Sequence, residues 1–149
     1  MKKERFRCHV AVCLMLIQEE KVLLIERANT GFADGLYSLP AGAIDGSEPI
    51  KQALIREIKE ELGITIFEKD LEFITVLHVA PRLVNPHELI LFCFKTTKYE
   101  GVIRNAEPHK CSDVRFFSFD NLPKNILDTA LDVFKNYKKG APFEELYWK

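Results

Sequence analysis

The sequence predicts an α/β domain in which helices pack against a mixed β-sheet. Three observations support this: apolar runs of strand length recur along the chain, an amphipathic helix follows the second glycine-bearing loop, and another helix follows the last strand. The 149 residues are 47% hydrophobic and 29% charged, which is typical of a globular protein large enough for one core. We therefore expect residues 1–149 to form a single domain.

The first elements are predicted to be two strands joined by a turn at 18–21, and turn-rich loops follow at 28–35 and 42–48. The C-terminal tail, 141–149, is expected to be ordered only if its aromatic residues pack. The predicted strands cover about 6–17, 22–27, 71–80, 88–97 and 114–119, with a short apolar piece at 36–42, and the helices cover about 48–62 and 124–138.

Charge and hydropathy narrow the classes of partner. The net charge of −1 argues against a broad surface for extended nucleic acid. No apolar run reaches membrane-spanning length, and no signal-like segment follows the basic N-terminus. We therefore expect a cytoplasmic protein that does not associate with membranes.

The four cysteines are Cys8, Cys13, Cys93 and Cys111, and none belongs to a CxxC pair. Cys13 and Cys93 lie inside apolar runs, so we expect reduced cysteines that are mostly buried, as in other cytosolic proteins. The histidines show no ligand spacing relative to the cysteines, so no zinc site is expected.

The predicted helix at 48–62 carries acids on its inward face. Its apolar stripe repeats every four residues, at Ile50, Leu54, Ile58 and Leu62. At 100° per residue, Glu57 and Glu61 fall within the arc of that stripe, and Glu60 lies at its edge. These carboxylates therefore point toward the rest of the protein.

Two neighbouring carboxylates withdrawn from water are costly and repel each other, so a compensating positive charge is expected. Arg56 and Lys59 can each pair with one acid, but the wheel aims neither of them at the side of Glu57 and Glu61. A divalent cation fits better, because Mg²⁺ and Mn²⁺ prefer oxygen ligands and the helical spacing gathers three carboxylates. A purely structural set of ion pairs is the alternative.

Residues 42–64, GAIDGSEPIKQALIREIKEELGI, resemble the Nudix box, G-x5-E-x7-R-E-U-x-E-E-x-G-U with U aliphatic, at every defined position. The preceding GLYSLPAG is similar to the segment that leads into the box in many MutT-like proteins. The resemblance extends to the order of elements over nearly the whole chain. It implies an α/β/α sandwich around a mixed sheet and metal-dependent hydrolysis of a nucleoside diphosphate linked to another group.

The resemblance also implies roles for individual residues. Glu57, Glu60 and Glu61 are expected to bind Mg²⁺, with Mn²⁺ as the other candidate. The carbonyl near Ala41 and Gly42 is expected to join them as a ligand. One of these acids, or an acid from another loop, is expected to activate the attacking water.

Two further catalytic candidates, Glu48 and Arg56, are expected to support the geometry of loop and helix, with Arg56 orienting an acid. The sequence departs from many relatives in two places. Ala41 stands where they have a second glycine before the box, and Ser47 stands where they have a glycine before the first glutamate. Neither departure changes a defined box position, so we expect the metal site to survive.

Five residues outside the box are candidates for substrate binding. Arg27 and Arg82 follow predicted strands and can meet phosphate, although a surface role is the alternative. Phe32 and Tyr37 can stack on a base, although core or loop packing is the favoured interpretation for each. Glu107 can supply a fourth acid from a late loop, or it can be a solvated loop acid.

The leading interpretation is a MutT-like nucleoside triphosphate pyrophosphohydrolase. The alternative is an ADP-ribose or nucleotide-sugar pyrophosphatase, for which Pro81 gives a weak positional signal. A non-catalytic nucleotide-binding regulator is disfavoured, because all three acids of the box helix are present. We expect a small nucleotide as the partner molecule, and the aromatic tail could serve a homodimer.

Overall fold

The computed structural model describes residues 2–149. A short 3₁₀ turn at Glu68–Asp70 separates the first helix from the strand that follows it. In chain order the other elements are β1 (His9–Gln18), β2 (Lys21–Arg27), β3 (Tyr37–Ser38), β4 (Ala41–Ala43), α1 (Ile50–Leu62), β5 (Glu72–Val79), β6 (Leu89–Thr96), β7 (Cys111–Ser118), α2 (Asp128–Lys139) and β8 (Phe143–Leu146).

The sheet is mixed, and β1 is its central strand. β1 runs parallel to β6 along most of its length and antiparallel to β4 and to the start of β2. β5 joins the outer side of β6, and β8 then adds to β5 in parallel. On the other side, β2 pairs with both β3 and β7. The main strand order is therefore β3-β2-β1-β6-β5-β8.

Alternate residues of β1 face the two helices. Val12 and Leu14 pack with the buried face of α1, whereas Met15 packs with Ala130 and Val133 of α2. Since helices cover both faces, the strand is an unbroken apolar run and does not alternate with polar residues. The predicted α/β/α sandwich around a mixed sheet is confirmed.

Helix α1 begins at Ile50, two residues later than predicted, because Pro49 is extended (φ −64°, ψ 149°) and forms the N-cap. Glu48, which the sequence placed in the first turn, lies outside the helix. Its carboxylate accepts a hydrogen bond from the backbone N–H of Asp45 at 3.1 Å. The helix ends at Gly63, whose left-handed conformation (φ 71°) places its N–H on the carbonyl of Lys59.

Helix α2 begins at Asp128, because the residues before it pair with another segment. Tyr37 donates its N–H to the carbonyl of Asn125 at 2.7 Å, and its own carbonyl accepts the N–H of Leu127 at 2.8 Å. These bonds hold 125–127 extended, so the predicted helix start at about 124 was too early. None of the helices within residues 2–149 is long and apolar enough to cross a membrane.

The C-terminal tail is ordered against the sheet edge. Val76 and Leu77 of β5 register with Phe143 and Glu144 of β8. Trp148 then donates its indole N–H to the carbonyl of His78 at 3.0 Å. Strand pairing and the hydrogen bonds of Tyr147 and Trp148 therefore order the tail, although its three aromatic side chains stay 41–55% exposed.

Cys13 and Cys93 lie opposite each other in the register of β1 and β6, and a disulfide joins them. The expectation that all four cysteines are reduced is therefore wrong for this pair. Cys8 and Cys111 are free. The two partners are 80 residues apart in sequence, and only the parallel strand pairing brings their Cα atoms to 4.9 Å.

Candidate functional site

An acidic cleft of about 370 Å³ opens beside the second half of α1. Glu57 and Glu61 project into it from the helix, and Glu107 faces them from the loop before β7. The wheel had predicted this inward direction for both helix acids. The other lining residues are Ile25, Arg27, Asn29, Thr30, Ala41, Lys110 and Cys111.

Glu61 is the most buried acid of the cleft. Its Oε2 atom is out of contact with water and has no hydrogen-bond partner in the described chain. Burial raises the pKa of this carboxyl well above its ordinary value, and the negative charges of Glu57 and Glu107 raise it further. The backbone N–H of Ala41 and the charge of Arg27 offset only part of this cost. A bound cation would remove much of the remainder.

Glu57 is also pulled out of water, with 15% of its side chain exposed, and burial raises its pKa. Arg56 opposes that rise, because its Nη1 lies 2.8 Å from Oε1 of Glu57. The same Nη1 lies 3.5 Å from Glu60. The expectation that Arg56 is aimed away from Glu57 is therefore wrong, because a helical wheel describes only where the side chain starts and not how far a long arginine can reach.

Arg56 also ties the loop before α1 to the helix. Its Nη2 and Nε donate to the two carboxylate oxygens of Glu48 at 2.7 and 3.2 Å. The same guanidinium reaches the carbonyl of Ala43 at 3.3 Å and the carboxylate of Asp45 at 3.3 Å. These contacts raise the pKa of Arg56 and lower that of Glu48, so both stay charged.

Gly42 leaves room for the side chain of Glu57 where β4 packs against α1. A Cβ atom added to Gly42 would overlap the carboxyl group of Glu57. The backbone of β4 can therefore lie against this carboxylate only because residue 42 has no side chain. This places the chain around Ala41 and Gly42 directly beside the acids of the cleft.

Glu107 reaches the cleft because its loop is bonded to the end of α1. Arg104 donates its N–H to the carbonyl of Leu62 at 3.0 Å, and Ala106 donates to the carbonyl of Glu61 at 3.0 Å. These two bonds fix the loop against the last turn of the helix. Glu107 thus lies opposite the helix acids, where the sequence expected a fourth acid.

The donor set of the cleft fits a hard divalent cation. Among residues 2–149, no group of three acid, histidine or cysteine side chains is already arranged to bind a metal ion. One reason is that the carboxylate of Glu60 contacts Arg56. Glu60 is 50% exposed, and its contact with Arg56 is long, at 3.5 Å. The unpartnered oxygen of Glu61 and the nearby carboxylates of Glu57 and Glu107 are the oxygen ligands that Mg²⁺ and Mn²⁺ prefer.

An apolar pocket of about 290 Å³ adjoins the cleft. Arg27 and Ala41 line both spaces and so form their shared boundary. Phe32 and Arg82 are among the lining residues of the pocket, and most of the others are apolar. The apolar ones include Ala11, Cys13, Leu39, Val79, Leu89, Leu91, Leu127, Ala130 and Val133.

Arg27 is fixed by the loop that follows β2. Its Nε donates to the carbonyl of Phe32 at 2.8 Å, and its Nη2 donates to the hydroxyl of Thr30 at 3.2 Å. Asp34 in turn accepts the backbone N–H groups of Thr30 and Gly31 at 3.0 and 2.9 Å. The loop thus holds one guanidinium at the boundary between the acidic cleft and the apolar pocket.

Residues 7–137 match the family model described as the NUDIX domain. The chain belongs to the Nudix hydrolase family. The resemblance read from residues 42–64 is therefore confirmed.

Individual relatives support this membership. An ADP-ribose pyrophosphatase of Methanocaldococcus jannaschii is 31% identical over 141 residues, which cover 93% of this chain and 79% of the relative. An NAD-capped RNA hydrolase of Stutzerimonas stutzeri is 31% identical over 135 residues, covering 87% of this chain but only 45% of the relative. The chain therefore spans most of the first relative and less than half of the second.

Solved structures of Nudix proteins have the same fold. The crystal structure of a MutT Nudix hydrolase from Burkholderia pseudomallei superposes with a TM-score of 0.80 at 24% identity. The superposed region covers 88% of this chain and 98% of the Burkholderia pseudomallei chain. This likeness shows the shared architecture and no more.

Two substrate-binding candidates of this Nudix domain are held by other parts of the chain. Tyr37 is buried with 5% exposure, and its hydroxyl lies 2.5 Å from Asp113, so its ring belongs to the core and not to the pocket lining. Arg82 lines the apolar pocket, but its guanidinium pairs with both carboxylate oxygens of Asp128, at 2.6 and 3.2 Å. It is therefore neutralised and poorly suited to bind phosphate.

Several lining residues of the Nudix site were not singled out from the sequence. Asn29 and Thr30 lie in the turn-rich loop directly after Arg27, so their closeness to this candidate could have identified them from the sequence. Lys110 lies three residues after Glu107 and approaches its carboxylate to 3.8 Å. Asp128, which lines neither space but pairs with Arg82, gave no signal, because the two residues are 46 positions apart in sequence.

Proposed function

We propose that this Nudix domain hydrolyses the pyrophosphate linkage of a nucleoside diphosphate derivative with the help of Mg²⁺, and that Mn²⁺ can replace it. The carboxylate of Glu61 carries this proposal, since Glu61 lines a cleft with two further acids and one of its carboxylate oxygens has no hydrogen-bond partner in the described chain. A buried carboxylate without a partner beside two other acids is expected at a cation site and is costly as a purely structural device.

Glu57, Glu60, Glu61 and the carbonyl of Gly42 would hold the cation. Mg²⁺, when bound, neutralises charge on the diphosphate and activates water for attack on phosphorus. Arg56 keeps Glu57 in place through its 2.8 Å contact.

The other contributions come from the walls of the cleft. Glu107, on the wall opposite α1, is the candidate that accepts a proton from the attacking water. Arg27, at the boundary of cleft and pocket, can donate to a phosphate oxygen of the bound diphosphate. Its loop contacts hold it in place before substrate arrives, which reduces the entropy lost on binding.

The two adjoining spaces suit the two ends of such a substrate. The apolar pocket is large enough for an aromatic base, and Phe32 offers it a ring on one wall. The cleft offers acids for a cation and charged or polar groups for phosphates and hydroxyls. We therefore place the nucleoside in the pocket and the diphosphate in the cleft.

ADP-ribose and related sugar diphosphates are the first substrate class to test. The relative that covers 93% of this chain is named as an ADP-ribose pyrophosphatase. The cleft is also lined by Asn29 and Thr30, whose side chains can bond sugar hydroxyls. Nucleoside triphosphates are the second class, because Lys110 also lines the cleft and could meet a terminal phosphate.

The test is an assay of the purified protein with Mg²⁺ against ADP-ribose, nucleotide sugars, dinucleoside polyphosphates and nucleoside triphosphates. Product analysis separates the classes, since ADP-ribose would give AMP and ribose 5-phosphate and a triphosphate would give a monophosphate and pyrophosphate. Glu61→Gln should abolish turnover, whereas Glu19→Gln, in the exposed turn between β1 and β2, should not.

Absence of turnover with every compound by the folded protein would refute hydrolysis. Nucleotide binding without turnover would then favour a non-catalytic regulator. We also propose a cytoplasmic location and a homodimer, and light scattering on the purified protein tests the latter.

A further inference from the structure

Arg82 is the most tightly held charged side chain of the apolar pocket. Its Nη1 and Nη2 pair with the carboxylate of Asp128 at 2.6 and 3.2 Å. Its guanidinium also lies 3.7 Å from the centre of the Tyr147 ring. One arginine is thus fixed in its own plane by a carboxylate and covered on one face by an aromatic ring.

The C-terminal segment 143–148 provides the ring. Leu146 accepts the N–H of Ala80 at 3.1 Å, which joins the segment to the chain two residues before Arg82. The Tyr147 hydroxyl donates to Asp132 of α2 at 2.7 Å. Tyr147 itself has a left-handed backbone (φ 65°), a conformation that a tyrosine adopts only when its surroundings hold it there.

The pairing decides which part of a substrate Arg82 can meet. Asp128 cancels its charge, so a phosphate gains little by approaching it, and Arg27 is better placed for that role at the edge of the cleft. Tyr147 is not among the residues that line the pocket, whereas Arg82 is. Of these two residues, Arg82 is therefore the one that a ligand in the pocket can contact.

A flat, charge-compensated guanidinium in an apolar wall is suited to a flat aromatic ligand. Guanidinium planes stack on bases, and their free N–H groups donate to the ring nitrogens and carbonyls of a base edge. The Nε of Arg82 is buried without a hydrogen-bond partner in the described chain, so at least one donor stays unused.

On the basis of the proposed function, we propose that Arg82 is a specificity-determining residue that contacts the nucleobase, and that Asp128 and Tyr147 are the residues that position it. Tyr147 acts through Arg82 and does not touch the substrate itself. The C-terminal segment is thereby part of the apparatus that selects the base, although it lies outside the pocket.

The experiment measures binding and does not depend on turnover. Calorimetry compares AMP, GMP, CMP and UMP with ribose 5-phosphate, which has a sugar and a phosphate but no base. Arg82→Lys keeps the charge that faces Asp128 and removes the planar group. Tyr147→Leu removes the stacked ring, and Tyr147→Phe keeps the ring but loses the bond to Asp132.

We expect Arg82→Lys and Tyr147→Leu to weaken binding of the preferred monophosphate about tenfold and to leave ribose 5-phosphate unchanged. Tyr147→Phe should bind like the original protein. Trp148, the only tryptophan, reports whether the segment stays in place, because a freed indole would emit at longer wavelength.

Equal affinity of Arg82→Lys and the original protein for all four monophosphates would overturn the inference. An equal loss of monophosphate and ribose 5-phosphate binding would also overturn it, since the effect would then not involve the base. Failure of the proposed hydrolysis is a separate outcome, because it appears as absent turnover while the binding comparison still decides the role of Arg82.

Discussion

The Nη1 atom of Arg56 lies 2.8 Å from Oε1 of Glu57, the next residue of the same helix. The other nitrogens of that guanidinium hold the two oxygens of Glu48, in the loop before the helix. One arginine therefore connects the loop that precedes α1 with an acid of the cleft. Its planar set of donors is what allows both carboxylates to be held at once.

Replacing Arg56 by lysine should lower kcat/KM about 10–100-fold, because one ammonium cannot hold both carboxylates and Glu57 loses its orientation. The free energy of unfolding should fall by only about 1 kcal/mol, since the guanidinium is partly exposed. Steady-state kinetics across a Mg²⁺ series and thermal unfolding check the two expectations. Lys51→Ala, at an outward position of the same helix, is the control, and an Arg56→Lys enzyme with unchanged kinetics would contradict the assigned role.

Glu61→Gln should stabilise the metal-free protein while removing activity. Burial and the charges of Glu57 and Glu107 raise the pKa of Glu61 in the folded state. In the unfolded chain the carboxyl titrates near its ordinary value of about 4.3. The folded protein therefore binds this proton more tightly, and its stability falls as the pH rises from that ordinary value through the raised pKa. Glutamine has no such proton to lose.

The measurement is unfolding by urea in EDTA at a series of pH values. The difference in stability between Glu61→Gln and the original protein should grow with pH and then level off. Saturating Mg²⁺ should stabilise the original protein and leave Glu61→Gln nearly unchanged, because a ligand stabilises only the state that binds it. If Glu61→Gln were less stable than the original protein at every pH, the carboxylate of Glu61 would be stabilising the fold, and its assignment as an unpaired buried charge would be wrong.

Gly42→Ala should disrupt the cleft through one contact. The added methyl group would overlap the carboxyl of Glu57, so β4 or the glutamate must shift, at a cost of about 1–3 kcal/mol. A double-mutant cycle tests this cause, since Gly42→Ala should cost little in a Glu57→Ala background. Glu57→Gln keeps the size of the side chain, so the cost should persist there. Equal costs in all three backgrounds would exclude the overlap as the reason.

The acids of α1 could be predicted because their placement is local. Helical periodicity alone directs Glu57 and Glu61 toward the sheet, and the spacing from Gly42 identifies the family. Arg56 was misjudged because the wheel does not describe the reach of a flexible side chain.

Tertiary contacts could not be read in the same way. Arg82 and Asp128 meet only after β5 and α2 pack together. Tyr37 follows a turn-rich loop, as Phe32 does, so the sequence around it does not show that it is buried. In the structure its backbone pairs with Ile126, far along the chain. In both cases the deciding partner lies far along the chain, where no periodicity or motif spacing applies.

Ser47→Gly should raise the free energy of unfolding by up to about 1 kcal/mol. Glycine removes the strain of the left-handed conformation, and this gain exceeds the loss from the greater conformational entropy of the unfolded chain. Ser47 has φ 57°, a left-handed conformation that glycine adopts more readily than serine. Thermal unfolding checks the direction. Ser47→Ala is the matched comparison, since it keeps the Cβ atom and should bring no gain, and activity should be retained in both.

The number of reactive thiols should reveal the Cys13–Cys93 disulfide bond. Protein purified without reductant and unfolded in guanidinium should show two reactive thiols, those of Cys8 and Cys111, and four after reduction. Because the bond closes a long loop in the unfolded chain, its reduction should lower the free energy of unfolding by about 2–4 kcal/mol. Cys93→Ala should lose a similar amount under oxidising conditions but only about 1 kcal/mol under reducing conditions, where it merely deletes a buried sulfur. Four thiols in the unreduced protein would show that the parallel strands bring the cysteines together without joining them.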